Sequence, residues 1–239
     1  MMSIRQFPFA ALAFVACGGA VLAAQPAVVQ RDYRVASFDK VAAADANVVL
    51  VHLGGAPSVR AEGPAETLDR MEVVVERGSL QIRPRREFSH DFDWHNLKPA
   101  TYTVTLPRLT DASLAGSGEM RVDRAEGDRF SASVAGSGNL DIAALRVGQA
   151  NLSLAGSGNL GARGSATHAE LSIAGSGDIR ARGLSSGSAA VSIAGSGDAE
   201  LTARATASVS IIGSGNANIG GGARCTINRV GSGKAHCGA

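Results

Sequence analysis

Seven positions in this sequence could do chemistry because of their spacing. Gly-Ser-Gly begins at Gly116, Gly136, Gly156, Gly175, Gly195, Gly213 and Gly231, and the next residues are Glu119, Asn139, Asn159, Asp178, Asp198, Asn216 and Lys234. If successive copies stack as neighbouring strands, Asp178 and Asp198 stand about 5 Å apart, the separation used by retaining glycosidases. The column supplies little else for such a site: no third acid, His or Arg is expected beside the pair. Asn and Asp suit a corner with unusual backbone angles and form side-chain ladders there. Glycine-aspartate turns also mark a calcium-binding solenoid repeat. That motif needs an acid in every half-turn, whereas this column mixes Asn with acids and ends in Lys, with one glycine turn per cycle. The serines inside the triplets, Ser117 to Ser232, lack a general base and a strand-to-helix elbow, so they read as turn residues.

Two other groups carry chemical potential. The stretch 83–99 is unlike its surroundings, with Phe88, Phe92 and Trp94 interleaved among His90, Asp93 and His95. The His and Asp side chains could ligate a metal. Exposed aromatics on a polar loop are better anchors for a partner, and Phe88, Phe92 and Trp94 are the expected contact residues. Cys225 and Cys237 lie six residues either side of Gly231, both on inward parity, and are expected to form a disulfide stapling the last coil. No cofactor is expected.

The elements that must hold these residues follow from the repeat. Successive triplets are separated by 20, 20, 19, 20, 18 and 18 residues. Four residues before each triplet stand Ala112, Ala132, Leu152, Leu171, Val191, Val209 and Ile227; two before stand Leu114, Val134, Leu154, Ile173, Ile193, Ile211 and Arg229. After the triplet, Leu140, Leu160 and Ile179 head one column and Ile142, Ala162 and Ala181 another, again with a period of two. That period means strands with one face buried. Strand, glycine corner, strand and short return, at about 18–20 residues per cycle, is the unit of an all-β solenoid. Residues 31–110 read as a less regular start of the same structure. They include a short helix begun by Pro64 at its first position and carrying Leu68 and Met71, a turn at Arg77-Gly78, and a strand with Tyr102, Val104 and Leu106 alternating.

Composition narrows the function. A net charge of +2, without clustered Lys/Arg and interleaved aromatics, leaves no nucleic-acid footprint. Arg5, the apolar run Phe7–Ala16 and the small residues up to Ala24 read as an export signal, so residues 1–24 are expected to be removed. Residues 25–32 are expected to be a linker and 33–239 a single solenoid domain, with the Gly-Ser-Gly repeats over 112–239. The apolar run is too short to span a membrane, and no span is expected in the mature chain. A lipid anchor on Cys17 is the minority alternative.

The chain resembles the putative autotransporter adhesin, head GIN domain family. The resemblance rests on Phe38-Asp39-Lys40-Val41, Leu53 to Gly63, Leu68-Asp69-Arg70-Met71-Glu72-Val73, Gly78-Ser79-Leu80-Gln81-Ile82, Val104-Thr105-Leu106-Pro107 and the triplet series. It implies a right-handed parallel β-helix with Gly-Ser-Gly at the tight turn, an extracytoplasmic location, an adhesive role and no catalytic set. It also implies self-association as a homo-oligomer, in trimers, although no heptads enforce one. The expectation is an exported binding or adhesion module that is periplasmic, outer-membrane-associated or secreted, with a surface glycan or protein as partner. A carbohydrate-active β-helix enzyme and a purely structural envelope protein are the alternatives.

Overall fold

The computed structural model describes residues 28–88 and 97–238. Strand accounts for 73% of it and helix for 4%, arranged as a β-solenoid of about 6 turns, as the repeat requires. The expected export signal and Cys17 lie outside the described residues, as do His90, Phe92, Asp93, Trp94 and His95.

The repeats stack residue on residue. β8 (Asp111–Gly116) and β9 (Glu119–Val122) make the first Gly-Ser-Gly coil. β10 (Ala125–Gly136), β11 (Asn139–Gly156), β12 (Asn159–Gly175), β13 (Asp178–Gly195) and β14 (Ala199–Gly213) each run most of the way round a coil. β15 (Ala217–Gly220), β16 (Arg224–Val230) and β17 (Ala235–Cys237) finish the column. All these pairings are parallel, with Leu152 on Leu171, Leu171 on Val191 and Val191 on Val209. Leu154, Ile173, Ile193 and Ile211 are each 1% exposed, so each contributes about 1.5–3 kcal/mol by burial. A further inward column stacks Phe130, Ala150, Ala169, Ala189, Ala207 and Cys225. The variable coil length is absorbed away from the glycine corners, at register shifts such as Ile142/Leu145 and Gly161/Gly164.

Each glycine of the triplet has its own reason. The first, such as Gly175 at φ 131°, occupies backbone space that L side chains rarely adopt. The second, such as Gly177, is buried: a Cβ there would overlap the carbonyl oxygen of Gly158 and lie 2.7 Å from Leu154 Cδ2. Ser176 N and Gly177 N both donate to Gly156 O, at 2.9 and 3.0 Å, and this pattern recurs along the column.

The start of the chain extends the column and closes it. β2 (Lys40–Asp45) and β3 (Val48–Leu53) lie parallel beneath β8 and β9, with Asp45-Ala46-Asn47 where later coils have Gly-Ser-Gly. Beneath them lie β6 (Ser79–Pro84) and β7 (Thr101–Leu106), which form the lowest parallel layer. The remaining strands depart from the parallel pattern. β4 (Ser58–Pro64) is antiparallel to β7, β5 (Met71–Glu76) to β6, and β1 (Val28–Tyr33) to β4. The expected linker therefore gives way to strand from Val28 onward, because its backbone groups pair with β4. The short helix is present as α1 (Ala65–Arg70), with Pro64 at the N-cap rather than the first turn and Leu68 1% exposed beneath the tube. Arg77 and Gly78 both take positive φ, 51° and 77°, as a two-residue hairpin turn between β5 and β6 needs.

Among the described residues, no antiparallel strand or helix covers the C-terminal coil. Ile227 belongs to the aliphatic column by sequence, pairs with Val209 on one side, and is 42% exposed, with no described coil on its other side. Arg229 interrupts the neighbouring column and donates from Nη1 to Gly233 O at 3.0 Å, holding the last corner.

Candidate functional site

The glycine corners line up along one edge of the solenoid, and the residues following them form an open polar ladder. Asn159 Nδ2 donates to Asn139 Oδ1 at 2.8 Å. Asp198 N donates to Asp178 Oδ1 at 3.1 Å, and Asn216 N and Nδ2 reach Asp198 Oδ1 at 2.8 and 2.9 Å. Lys234 N completes the run on Asn216 Oδ1 at 3.1 Å. A short side chain carrying an acceptor is what a 4.8 Å rise demands, since it reaches the next amide without bending the chain. Asp178 and Asp198 are thus occupied in holding the corner.

One part of the sequence reading needs correction here. Arg180 stands beside the pair, its Nη2 3.1 Å from Asp178 Oδ2. It was legible as the residue two positions after Asp178, on the same outward parity. The same outward row stacks Arg121, Asp141, Gly161, Arg180 and Glu200. Arg182 and Glu200 pair across coils at 3.1 Å and Arg163 and Asp141 at 3.8 Å, so alternating charge runs down the face beside the ladder.

The other expected residues divide. Cys225 and Cys237 form a disulfide in the terminal coil, closing a 12-residue separation between β16 and β17. Phe88 ends a 3₁₀ turn, Arg86–Phe88, that follows β6. Phe92 and Trp94 lie outside the described residues. Among the described residues, no three His, Cys, Asp or Glu side chains gather as a metal site would need. No helix among them is long and apolar enough to cross a membrane.

Asp45, at the first corner, differs from the glycines it stands among. Its carboxylate accepts from Asn47 N and Nδ2, both at 2.6 Å, while Asn47 Oδ1 accepts from Ala100 N at 2.7 Å. Burial raises the Asp45 pKa to about 6, against the lowering effect of the two Asn47 hydrogen bonds. The network ties the first corner to β7. A depression of about 770 Å³ lies at the base between β1 and β5. Its Arg31 and Arg83 are already paired, with Asp69 and with Glu72 and Glu76.

The fold has solved counterparts. A putative adhesin from Bacteroides fragilis NCTC 9343 superposes with a TM-score of 0.81 at 22% identity, covering 90% of this chain and 98% of that one. A putative lipid binding protein from Parabacteroides distasonis ATCC 8503 gives 0.68 at 20% identity, covering 89% and 96%. A putative adhesin from Parabacteroides merdae ATCC 43184 gives 0.68 at 14%, with the same coverage. At these identities the likeness establishes fold alone. No curated protein matches the chain. The family described as "Putative auto-transporter adhesin, head GIN domain" matches residues 37–223, from the Phe38 entry through the corner of the penultimate coil, and the chain belongs to that family.

Proposed function

We propose that this chain is an exported, non-enzymatic binding module of the cell surface, adhesive in role, with the corner ladder as its contact line. The observation that carries this reading is the row of short polar side chains at Asn139, Asn159, Asp178, Asp198 and Asn216. They are held at fixed intervals by hydrogen bonds and open along one edge of a rigid column. Such a row offers donors and acceptors at a constant repeat, which suits an extended surface glycan or protein strand. Pre-ordering spares the entropy otherwise lost on contact. The family name and the adhesin neighbours agree with the reading. The use of both Asp178 and Asp198 as structural acceptors argues against a polysaccharide-cleaving role.

The test is binding of the purified mature chain to immobilised glycans and to intact cells. It is repeated with a variant carrying Ala at all five ladder positions. Retained fold with lost binding supports the contact line; unchanged binding refutes it. Release of reducing ends from polysaccharide, abolished by Asp178→Asn and Asp198→Asn, would establish the enzyme instead. Failure to bind any glycan, protein or cell would favour a purely structural envelope protein.

A further inference from the structure

The outward row beside the ladder has one missing side chain. Arg121, Asp141, Arg180 and Glu200 stack in register on either side of Gly161, which presents only backbone. The gap is a depression of about 280 Å³, lined by Glu119, Asn139, Asp141, Asn159, Arg163 and Arg180. A Cβ at Gly161 would overlap Asp141 Oδ1, so that carboxylate leans across the notch, with Arg163 Nη1 3.8 Å from its other oxygen. We infer that this notch is a subsite for a single neutral sugar ring bearing adjacent hydroxyls, seated between Asp141, Arg163 and the Asn139–Asn159 step of the ladder. The inference rests on the proposed binding role and names its ligand class.

Three features point to that chemistry. The volume lies just below the range of about 300–1,000 Å³ typical of drug-sized ligands, which suits one ring rather than a chain. The lining holds two carboxylates, Glu119 and Asp141, and two guanidinium groups, Arg163 and Arg180. Glu119 is already paired to Arg121 and Arg180 to Asp178, so an uncharged partner loses least on entry and a uronate would have to disturb these pairings. Vicinal hydroxyls can donate to the Asp141 carboxylate and accept from Arg163 and from Asn159 Nδ2, replacing the water that now solvates these exposed groups.

Saturation-transfer NMR on the mature chain with methyl glucoside, methyl galactoside, methyl mannoside and glucuronate tests the assignment. A neutral glycoside should take up saturation. Gly161→Ser, which fills the notch, and Arg163→Ala, which removes a donor and leaves the backbone alone, should each weaken binding by about tenfold, the worth of one hydrogen bond. Arg204→Ala, exposed and outside both the ladder and the notch lining, should leave this binding unchanged. The assignment is overturned if no glycoside binds, if glucuronate is preferred, or if both notch variants bind as the parent does. If the five-position ladder variant loses surface binding while Gly161→Ser retains it, the notch assignment falls and the contact line stands.

Discussion

Replacing Gly177 with Ala puts the stacking argument under the most direct stress. The added methyl would overlap Gly158 O and lie 2.7 Å from Leu154 Cδ2 and 2.9 Å from Ser157 C. Two of these atoms are backbone, and the Gly158 carbonyl accepts from Asp178 N at 3.2 Å, so neither coil can yield without loosening that bond. Overpacking of this kind costs about 1–3 kcal/mol, and a lost backbone hydrogen bond about 1 more. The expected destabilisation is therefore about 2–4 kcal/mol. That corresponds to a midpoint shift of about 1 M in urea at an m-value of about 3 kcal/mol/M. Ser176→Ala, one residue away and exposed, should change stability by less than about 0.5 kcal/mol. Equilibrium unfolding in urea measures both. Because a solenoid need not unfold in one step, exchange at the amides of Ser176, Gly177 and Asp178 supplies a local reading. A Gly177→Ala protein within experimental error of the parent would mean that adjacent corners are not in contact, and the stacking argument would be wrong.

Two further outcomes concern the ends of the column. Cys225→Ser should cost about 3 kcal/mol by releasing a 12-residue loop, with exchange protection lost in β16 and β17 and retained in β12; uniform loss would contradict a local staple. At the other end, the Asp45 pKa rises on folding from 3.8 to about 6, so the folded state binds the proton more tightly. Its stabilising contribution is complete below pH 3.8 and is lost as pH rises through about 6, a swing of about 3 kcal/mol. Asp45→Asn should remove that slope from a stability–pH profile, and an unaltered profile would show that Asp45 is not buried as described.

The repeats were legible because each inward row is aliphatic and each corner needs glycine for a steric reason. Both leave marks at fixed intervals. The base was less legible. Asp45-Ala46-Asn47 occupies a corner without either glycine, so no spacing rule reaches it, and its role emerges only from pairing with Gly116. Strand alternation in Val73–Val75 and Tyr102–Leu106 reads the same whichever way the neighbour runs, which concealed the antiparallel pairs. Residues 28–32, within the expected linker 25–32, carry few apolar side chains, and their partner, β4, lies about thirty positions away. In the candidate site the ladder followed from the repeat. Arg180 and Gly161 stand at the next outward position, where Arg121, Asp141, Gly161, Arg180 and Glu200 share no single residue type and so leave no repeating mark.

Because equivalent atoms recur at every corner, the height of this column is adjustable and its cross-section is not. Excising residues 157–175 would join Gly156 directly to Ser176, setting Asp178 over Asn139 and Ile179 over Leu140 with every inward row continuous. The product would be a shorter rod with the same outline and both ends intact, but without the recess at Gly161. Reach and recognition are thereby separable properties of one scaffold.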